Sequence, residues 1–443
     1  MNTFFDKIKI FSPLFFFPLT YIAGIVITEI LIFFFLIFLI INYQNEKFSN
    51  KNIVFVLLVF SLYIGFNAII QIPGSLKYSS VFHFRYVLFA ISVYFFFKIY
   101  EKSEINKKLF FILFLLLIII LLFDSCLQFF VGENILGQKL SRFGYRVSSF
   151  FGDELILGSF LMRFLSIFLW YLFYLKIDIN SKKILSIIFF STYLFVIYIS
   201  GERTAFALTI LMILLFIVFV PNLRYIFVRS VIVFIVCGLL VALTNIGKEN
   251  ISDRMFVKTY NQLVNKNEDT NNVSENILKN KNLKTIDKIK NINIFSPNHH
   301  GHLIIAKELF TKNLIFGVGP KGFRHYCRSV NYDPPKGVCS THPHNILAQI
   351  LSELGVIGLL FYLIFIVFIL KNFFNNIGKK STDYEINGLL VISIGLLINL
   401  FPFVPNGNFF NNWISSFFYF KIGLFIFSFN KIPNKFKNCK LLI

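Results

Sequence analysis

The amino-acid sequence predicts an all-α polytopic membrane protein with about twelve transmembrane helices, and three observations lead to this fold class. First, 56% of the 443 residues are hydrophobic, 62 residues are Phe, and only 15% are charged. A soluble domain of that composition could not cover its surface with polar side chains. Second, apolar stretches of about 20 residues, the length that crosses a bilayer core, recur along the chain. Third, Lys and Arg are concentrated in alternate loops between those stretches.

The predicted spans follow the apolar runs, and a polar break separates most of them from the next. The first run is too long for the apolar region of a cleavable signal peptide, so it is counted as a span. No internal repeat is visible in the sequence. The twelve predicted spans are 11–25, 27–43, 52–71, 80–99, 108–131, 154–176, 184–200, 204–220, 225–245, 345–371, 388–404 and 410–430.

The orientation of these spans follows from the cations in the short loops. Counting from a cytoplasmic N terminus, every second loop carries Lys or Arg, whereas the loop near Pro73 carries only Lys77 and the loop near Pro405 carries none. The loop 132–153 is an exception, because it contains three cations. Cations accumulate in cytoplasmic loops, so both termini are predicted on the cytoplasmic side of the membrane. The same rule accounts for the net charge of +21, and no nucleic-acid partner is predicted.

One hydrophilic segment interrupts the series of spans. Residues 246–344, called the large loop below, lie on the outer side of the membrane by this count. They divide the chain into spans one to nine (1–245), the large loop, and spans ten to twelve with a cytoplasmic tail (345–443). The first half of the loop, 250–293, is rich in Asn and Lys and is predicted to be poorly ordered. The second half predicts a short amphipathic helix, with apolar residues at Leu303, Ile304, Ala306, Leu309 and Phe310.

Histidine is concentrated in the large loop, which holds six of the seven in the chain: His299, His300, His302, His325, His342 and His344. Two interpretations are open. A metal site would need His and carboxylate ligands that converge, but the acids of the loop are few and lie mostly in its first half. A general base needs one His whose pKa is near the working pH. His344 suits that role, because it lies where the loop re-enters the membrane.

A second candidate is the short segment 200–204, between the seventh and eighth spans. It places Glu202 and Arg203 at the predicted outer interface. The arginine could extend to the interface and pair with its neighbour. Alternatively, its guanidinium could bind a phosphate through two parallel hydrogen bonds. The sequence leaves both interpretations open.

Ionisable residues also lie within apolar runs, at Arg85, Asp124, Glu154, Arg163 and Lys421. Each would cost about 2.5–3.5 kcal/mol at the centre of a membrane helix, so partners or a polar cavity are expected. Three of them lie towards the outer ends of their spans, which favours an outward-facing cavity. Structural ion pairs between helices are the alternative.

The start of the tenth span carries a spaced motif. His344 and Asn345 are followed after nine residues by Gly355 and, after two more, by Gly358. This spacing, at the end of a long outer loop, resembles the motif of the O-antigen ligase and O-antigen polymerase superfamily. Arg203 lies where members of that superfamily carry an arginine in a short outer turn.

Other segments are similar to the same superfamily. They are 151–154, the predicted loop helix with its Gly-x-Gly turn (302–319), and the run 317–324 followed by Cys327 and Cys339. The specific motifs are confined to about 142–205 and 295–360. The chain departs from the superfamily at one position. Many ligases of the superfamily carry a second essential arginine at the start of the loop helix. This chain has no arginine there and reads Asn-His-His-Gly-His at 298–302.

The resemblance implies a GT-C-like membrane glycosyltransferase whose one large periplasmic loop contains short helices. The implied reaction moves an oligosaccharide from undecaprenyl diphosphate to an acceptor hydroxyl, such as that of lipid A-core, with inversion and without a metal or cofactor. The implied catalytic residues are His344, which takes the proton of the acceptor, and Arg203, which binds the departing diphosphate. Either Arg324 or one of the loop histidines would supply the missing second cation. The implied substrate-binding residues are Arg324, His299, His302, His342, Asn345 and Glu202.

Cys327 and Cys339 would face an oxidising periplasm in this topology, and a disulfide between them is expected. In the loop-entropy model such a closure is worth about 3 kcal/mol. It would hold Arg324 near His344. Free thiols are the alternative.

Several functions compete. The compact motif and twelve spans favour a ligase over a polymerase that joins carrier-linked repeat units, and over a protein-glycosylating ligase, whose extra C-terminal domain is not seen. A transporter, with Arg85, Asp124 and Lys421 along its path, is an alternative of another class. Neither inverted repeats nor paired broken helices are visible in the sequence to support it.

Overall fold

The structure is a computed structural model that describes residues 11–42, 51–103, 106–140, 146–243, 251–257, 260, 297–329, 339–378 and 383–432. Within these ranges the chain is helical and forms no β-strand. The first half of the large loop, predicted to be poorly ordered, lies almost entirely outside the described residues.

The helices are labelled in chain order. They are α1 (Ser12–Ala23, a 3₁₀ helix), α2 (Ile25–Asn42), α3 (Lys51–Gln71), α4 (Tyr78–Val81), α5 (Phe84–Lys102), α6 (Lys107–Val131), α7 (Leu157–Tyr174), α8 (Lys183–Ile199), α9 (Arg203–Phe219), α10 (Pro221–Leu243), α11 (Pro297–Lys312), α12 (Phe323–Tyr326), α13 (Ile346–Asn376), α14 (Tyr384–Asn399) and α15 (Asn412–Lys431). Short 3₁₀ or π-helical turns lie at Gly74–Lys77, Ser149–Phe151, Asp253–Val257 and Cys327–Ser329.

Each of the twelve predicted spans coincides with one of these helices. In the described part of the chain, eight helical segments are long and apolar enough to cross a membrane. The helices α1, α8, α9 and α14 are apolar but shorter. The prediction of an all-α polytopic membrane protein is therefore confirmed. The count of twelve spans stays a prediction.

Polar caps explain where several helices begin. The side chains of Asn106, Asn345, Asp383 and Asn411 accept hydrogen bonds from the first free amides of α6, α13, α14 and α15. Such residues satisfy donors that a helix leaves without an internal partner. The helix α6 ends at Gly132, whose φ of 95° lies in the left-handed region that glycine adopts readily. Local sequence thus fixes the ends of the spans that carry the site.

The centre of the bundle is formed by α5, α7, α14 and α15. The most apolar windows of α7 and α15 are 89% and 83% buried, whereas those of α2 and α10 are only 28% buried. The helix α5 packs along α15, and α7 packs along α14. The peripheral helices therefore present large apolar side chains outward, as expected of a surface that contacts lipid.

The ionisable residues of the apolar runs have specific partners. Arg85 forms an ion pair with Glu29 of α2 at 3.3 Å. Asp124 accepts from the amide of Ile135 at 2.8 Å and from the hydroxyl of Ser149, which ties the loop after α6 to that helix. These contacts favour structural pairing over an outward-facing cavity.

The placement of Glu154 in an apolar run is wrong. The helix α7 begins at Leu157, and Glu154 precedes it as an exposed residue. The apolar residues 155–157 led the sequence-based boundary too far towards the N terminus. Glu154 therefore needs no partner inside the bundle.

The predicted amphipathic helix of the large loop corresponds to α11. Its buried apolar residues are Ile305, Ala306 and Leu309, which form a small core with Phe323 of α12 and Cys327. Leu303, Ile304 and Phe310 are only partly buried, so the buried face is narrower than the apolar periodicity predicts. This small core seats α11 and α12 against the first turns of α13.

Candidate functional site

A break in α13 anchors the candidate site. Gly355 has φ 65° and ψ −161°, which interrupts the helix. The carbonyls of Ser352 and Glu353 accept instead from the amides of Val318 and Gly319, both at 2.9 Å. A Cβ atom on Gly355 would collide with the main-chain carbonyl of Ile315. The break thus joins the Gly-x-Gly turn to α13, and glycine is required where the chain segments touch.

Side chains of α3 complete the break. The hydroxyl of Tyr63 donates to the carbonyl of Leu354 at 2.6 Å, and the amide group of Asn67 donates to the carbonyl of Phe316 at 2.6 Å. Both carbonyls lack a helical partner at this point, so their pairing avoids the cost of a buried free acceptor. The turn that follows α11 is consequently fixed from two sides.

Glu353 is a residue that the sequence analysis missed. Its buried carboxylate accepts from the amide of Phe323 at 3.1 Å and from the side chain of Gln349 at 2.9 Å. It therefore holds the start of α12 on α13. The available signal was a lone acid inside the tenth predicted span, where a charge needs a partner.

Four imidazoles converge beside this anchor. His299 and His302 share one face of α11, because residues three apart in a helix are neighbours. Ring centroids lie 4.9 Å apart for His302 and His344, 5.4 Å for His299 and His344, and 4.0 Å for His342 and His344. His302 and His342 are buried, and the other two are partly buried. We call these four residues the histidine cluster.

Two further loop histidines stand apart from the histidine cluster. His300 is exposed on α11, and His325 lies on α12, partly exposed. Neither takes part in the ring contacts of the cluster. The clustering of histidine in the sequence therefore reflects one site of four residues.

His342 and His344 differ in their hydrogen bonds. The Nε2 of His342 donates to the carbonyl of Asn406 at 3.2 Å, and its Nδ1 accepts from the hydroxyl of Thr341 at 3.0 Å. The ring of His344 makes no hydrogen bond to any described residue. The backbone of His344 has φ 53°, a left-handed conformation that is unusual for a residue with a side chain. His342 is thus held in place, whereas the ring of His344 is available to a substrate.

Burial is the main influence on the protonation of three rings of the histidine cluster. Burial and, to a smaller extent, the neighbouring imidazoles lower the pKa of His344 to about 3. Burial is also the main reason that the pKa of His342 falls to about 4, although the hydrogen bond to the carbonyl of Asn406 acts in the opposite direction. Burial also lowers the pKa of His299, with additional contributions from His302 and from the charge of Arg203. At neutral pH these rings are uncharged, and a neutral imidazole can accept a proton.

Two guanidinium groups lie near enough to the histidine cluster for their charges to act on it. Arg203, at the start of α9, is close enough to His299 for its charge to act on that ring. Arg324, exposed on α12, acts in the same way on His342. The predicted arginines and histidines are therefore brought to one region of the molecule.

Lys321 is a further cation that the sequence analysis did not single out. Its pKa is lowered to about 8. Burial is the largest cause, and the positive charges of Arg324 and Arg85 act in the same direction. Its Nζ donates to the hydroxyl of Ser79 at 3.4 Å, and its φ is 64°. The residue belongs to the run 317–324, where it was read only as part of a family motif.

Two predicted substrate-binding residues are engaged with the protein itself. The side chain of Asn345 accepts from the amide of Ala348 at 3.0 Å and donates to the carbonyl of Pro402 at 2.6 Å. The carboxylate of Glu202 accepts from the amides of Gly158 at 2.8 Å and Ser159 at 3.2 Å. The interpretation that Glu202 pairs with Arg203 is therefore wrong, because the carboxylate is bound to the first turn of α7.

A disulfide joins Cys327 to Cys339, with Cα atoms 5.6 Å apart. It links the end of α12 to the segment that leads into His342. The bridge closes the loop around residues 328–338, most of which lie outside the described residues. The bridge therefore ties the segment that carries Arg324 to the segment that carries His342 and His344.

A metal site receives no support from the part of the chain that the structure describes. No three His, Cys, Asp or Glu side chains there are arranged to hold a metal ion. The four rings of the histidine cluster therefore do not form such a site.

The comparison with known families agrees with the motif. Residues 301–363 match a family model described as O-Antigen ligase. The matched segment runs from α11 into α13 and contains three members of the histidine cluster, both cysteines of the disulfide, and the break at Gly355. The resemblance drawn from the sequence is therefore confirmed for this segment. No curated protein matches the chain.

Proposed function

We propose that this protein is a glycosyltransferase of the O-antigen ligase type. It moves an oligosaccharide from undecaprenyl diphosphate to an acceptor hydroxyl of lipid A-core at the periplasmic face of the inner membrane. The observation that carries the proposal is the convergence of His344 with three other imidazoles, two of which are near enough to Arg203 or Arg324 to feel the charge of that arginine. The family match over the same segment supports it.

The acid–base chemistry rests on His344. Its ring is neutral and makes no hydrogen bond to described residues, so it can accept the proton of the acceptor hydroxyl. The acceptor oxygen attacks the anomeric carbon as the bond from that carbon to the carrier diphosphate breaks. One base on the face opposite the leaving group gives inversion. No metal or other cofactor is needed for this step.

The leaving diphosphate requires positive charge as it departs. Arg203 binds it on one side of the histidine cluster, with a planar fork of donors that matches phosphate oxygens. Arg324 provides the second cation. Lys321 lies near enough to Arg324 for the positive charges of these two side chains to repel each other. The N–H groups of His299 and His302 add neutral donors. These groups are in place before the reaction, so little reorganisation is required.

Donor binding also changes the base. An anion beside the histidine cluster stabilises the protonated form of each ring and raises its pKa. The pKa of His344 is about 3 without substrate, and it rises towards 7 when the diphosphate binds. The base is therefore strengthened only in the complex in which it is needed.

The transporter alternative finds no support in the ionisable residues that suggested it. Arg85 pairs with Glu29, Asp124 binds the loop after α6, and Lys421 donates to the carbonyl of Gly395 and the side chain of Asn399. Each residue is occupied by its own local partners. They do not form a continuous polar path among the described residues.

A gel of lipopolysaccharide tests the function and separates ligase from polymerase. The chromosomal gene is deleted and the strain is complemented with the wild type, His344→Ala or Arg203→Ala, with membrane levels checked by immunoblot. A ligase predicts core without O-chain and accumulation of carrier-linked polymer in the deletion and in both variants. Core bearing one repeat would instead identify a polymerase, and an unaltered glycan profile would exclude the proposed transfer.

A further inference from the structure

A buried arginine that the proposed reaction does not use lies in the middle of the bundle. Arg163, on α7, is only 3% exposed. Its hydrogen-bond partners are neutral: Nη2 donates to the side-chain oxygen of Asn406 at 2.8 Å, and Nη1 donates to the carbonyl of Ser159 at 3.0 Å. The guanidinium lies over the ring of Trp413 at 5.0 Å. Such a buried charge is costly, so its retention needs a reason.

Asn406 connects this arginine to the histidine cluster. The residue lies in the loop between α14 and α15. Its main-chain amide donates to the carbonyl of His344 at 2.7 Å, and its own carbonyl accepts from Nε2 of His342 at 3.2 Å. Its side chain donates to the carbonyl of Asn399 at 3.1 Å. One residue of this loop therefore fixes the ring of His342 and the backbone of His344.

The backbone of His344 needs such support. Its φ of 53° costs energy for a residue with a side chain, and that conformation persists only when surrounding contacts impose it. The 2.7 Å hydrogen bond from Asn406 is a direct contact on its carbonyl. The side-chain oxygen of Asn406 accepts hydrogen bonds from Arg163 and from the amide of Gly407. These two bonds hold the Asn406 side chain and thereby set the orientation of its peptide group.

The other end of Arg163 leads to the turn that carries Arg203. Nη1 binds the carbonyl of Ser159, and the amide and hydroxyl of Ser159 donate to the carboxylate of Glu202. Glu202 immediately precedes Arg203 at the start of α9. A chain of hydrogen bonds through Arg163 thus connects the two parts of the site that the sequence places 141 positions apart (344 minus 203).

We infer that Arg163 is a positioning residue, which sets His344 and His342 through Asn406 and holds them at a fixed place relative to Arg203 through Ser159. This inference rests on the proposed function for its catalytic meaning. The geometric part, that Arg163 fixes the histidines, stands independently of the reaction. Arginine suits the role, because its planar fork can hold two acceptors at once.

The experiment is a double-mutant cycle with purified protein. The variants are Arg163→Met, Asn406→Ala, the double variant and the conservative Arg163→Lys, with Arg224→Met as the control. Arg224 donates to the main-chain carbonyls of Ile217 and Val218, and neither of these residues belongs to the histidine cluster or to the hydrogen-bond chain through Asn406. Two quantities are measured: steady-state transfer from a lipid-linked oligosaccharide, and the rate at which diethyl pyrocarbonate modifies His342 and His344, read by mass spectrometry.

The expected result has three parts. Arg163→Met lowers kcat about 100-fold with little change in KM, as a displacement of about 1 Å at the reacting groups would do. Modification of His342 becomes about tenfold faster, because its Nε2 loses a fixed hydrogen-bond acceptor. The double variant is no worse than the poorer single variant, since both residues act through one contact. Arg163→Lys recovers part of both losses, and Arg224→Met changes neither quantity.

The outcomes separate this inference from the proposed function. Additive losses in the double variant, or unchanged modification rates in Arg163→Met, overturn the positioning role. If Arg163→Met does not fold, the transfer rate and the modification rates are measured in Arg163→Lys and Asn406→Ala. Arg163→Lys keeps the positive charge, and Asn406→Ala keeps the main-chain groups that bind His342 and His344. Faster modification of His342 in protein that shows no glycan transfer even as wild type would support the positioning role and reject the proposed reaction.

Discussion

His302 and His344 lie with their ring centroids 4.9 Å apart, although one belongs to α11 and the other to the segment before α13. The contact depends on the break at Gly355, which ties the turn after α11 to α13. Helix geometry then places His299 beside them. The histidine cluster is therefore produced by the joining of two chain segments that are distant in sequence.

Replacing His344 tests the general base. His344→Gln keeps a polar side chain of comparable length but removes the basic nitrogen, so kcat should fall about 10²–10⁴-fold. Transfer from a lipid-linked oligosaccharide by the purified protein measures the effect. His300→Gln is the control, because His300 is exposed and lies outside the histidine cluster. Equal activity of the two variants would remove His344 from the mechanism.

Replacing Arg203 tests the binding of the departing diphosphate. Arg203→Ala should lower kcat/KM about 10²–10³-fold, the usual effect of removing one donor that stabilises developing charge. Arg203→Lys should recover only part, because an ammonium keeps the charge but not the planar fork. Arg224→Lys, in α10 with bonds to the carbonyls of Ile217 and Val218, is the control and should remain active. Full activity of Arg203→Ala would argue against the assignment.

The histidine cluster also predicts how stability depends on pH. In the folded protein the pKa of His342 is about 4 and that of His344 about 3, both below the value of 6.5 for a free imidazole. Below pH 6.5 the unfolded chain therefore binds more protons than the folded one, and stability rises with pH in that window. The contribution of the two uncharged rings to the free energy of unfolding is fully present above pH 6.5. It is lost as the pH falls through about 4 for His342 and about 3 for His344.

The thermal midpoint of the detergent-solubilised protein, measured from pH 7.5 to 4.5, tests this dependence. The wild type should lose stability over that range more steeply than the double variant His342→Phe/His344→Phe, which has no imidazole to protonate at those positions. His300→Phe should behave like the wild type. Parallel curves for all three proteins would contradict the effect of burial on the two rings.

Gly355 should tolerate no side chain. Gly355→Ala would place a Cβ against the carbonyl of Ile315 and would also force φ 65° on an alanine. Overpacking and strain of this kind together cost about 2–5 kcal/mol. The thermal midpoint should fall accordingly, as measured by fluorescence-detected size exclusion after heating. Gly238→Ala is the control, because a Cβ there meets nothing within 4 Å, and it should be neutral or slightly stabilising.

The disulfide should stabilise the large loop. Cys327→Ser should lower the free energy of unfolding by about 3 kcal/mol in the loop-entropy model. Reductant should reproduce that loss in the wild type and have no effect on the variant. Cys126→Ser, which removes a cysteine outside any disulfide, serves as the control. A wild type whose midpoint does not respond to reductant would contradict the stabilising role.

Much of the fold could be predicted from the sequence, because each span is a local property of about 20 apolar residues. The boundary error at Glu154 arose where apolar residues precede the actual helix start at Leu157. The four shorter helices show the limit of the method, since composition alone does not say whether α8 or α9 crosses a bilayer.

The site could be predicted only in part. His344 and Arg203 could be found from motif and position, but no local pattern indicates that Asn406 binds both His342 and His344. That contact depends on how α14 and α15 pack against α7, which is a long-range property. Glu202 shows the same limit. A neighbour in sequence suggested Arg203 as its partner, whereas the fold supplies Gly158 and Ser159.

The break in α13 has a consequence for biogenesis. The turn after α11 is synthesised before residues 352–356, whose backbone groups bind it. The ribosome must therefore deliver α13 to the translocation machinery before the preceding turn can acquire its final hydrogen bonds. The region around the histidine cluster thus matures late in synthesis, when α13 enters the membrane, and a nascent chain that stops earlier carries an unfinished loop.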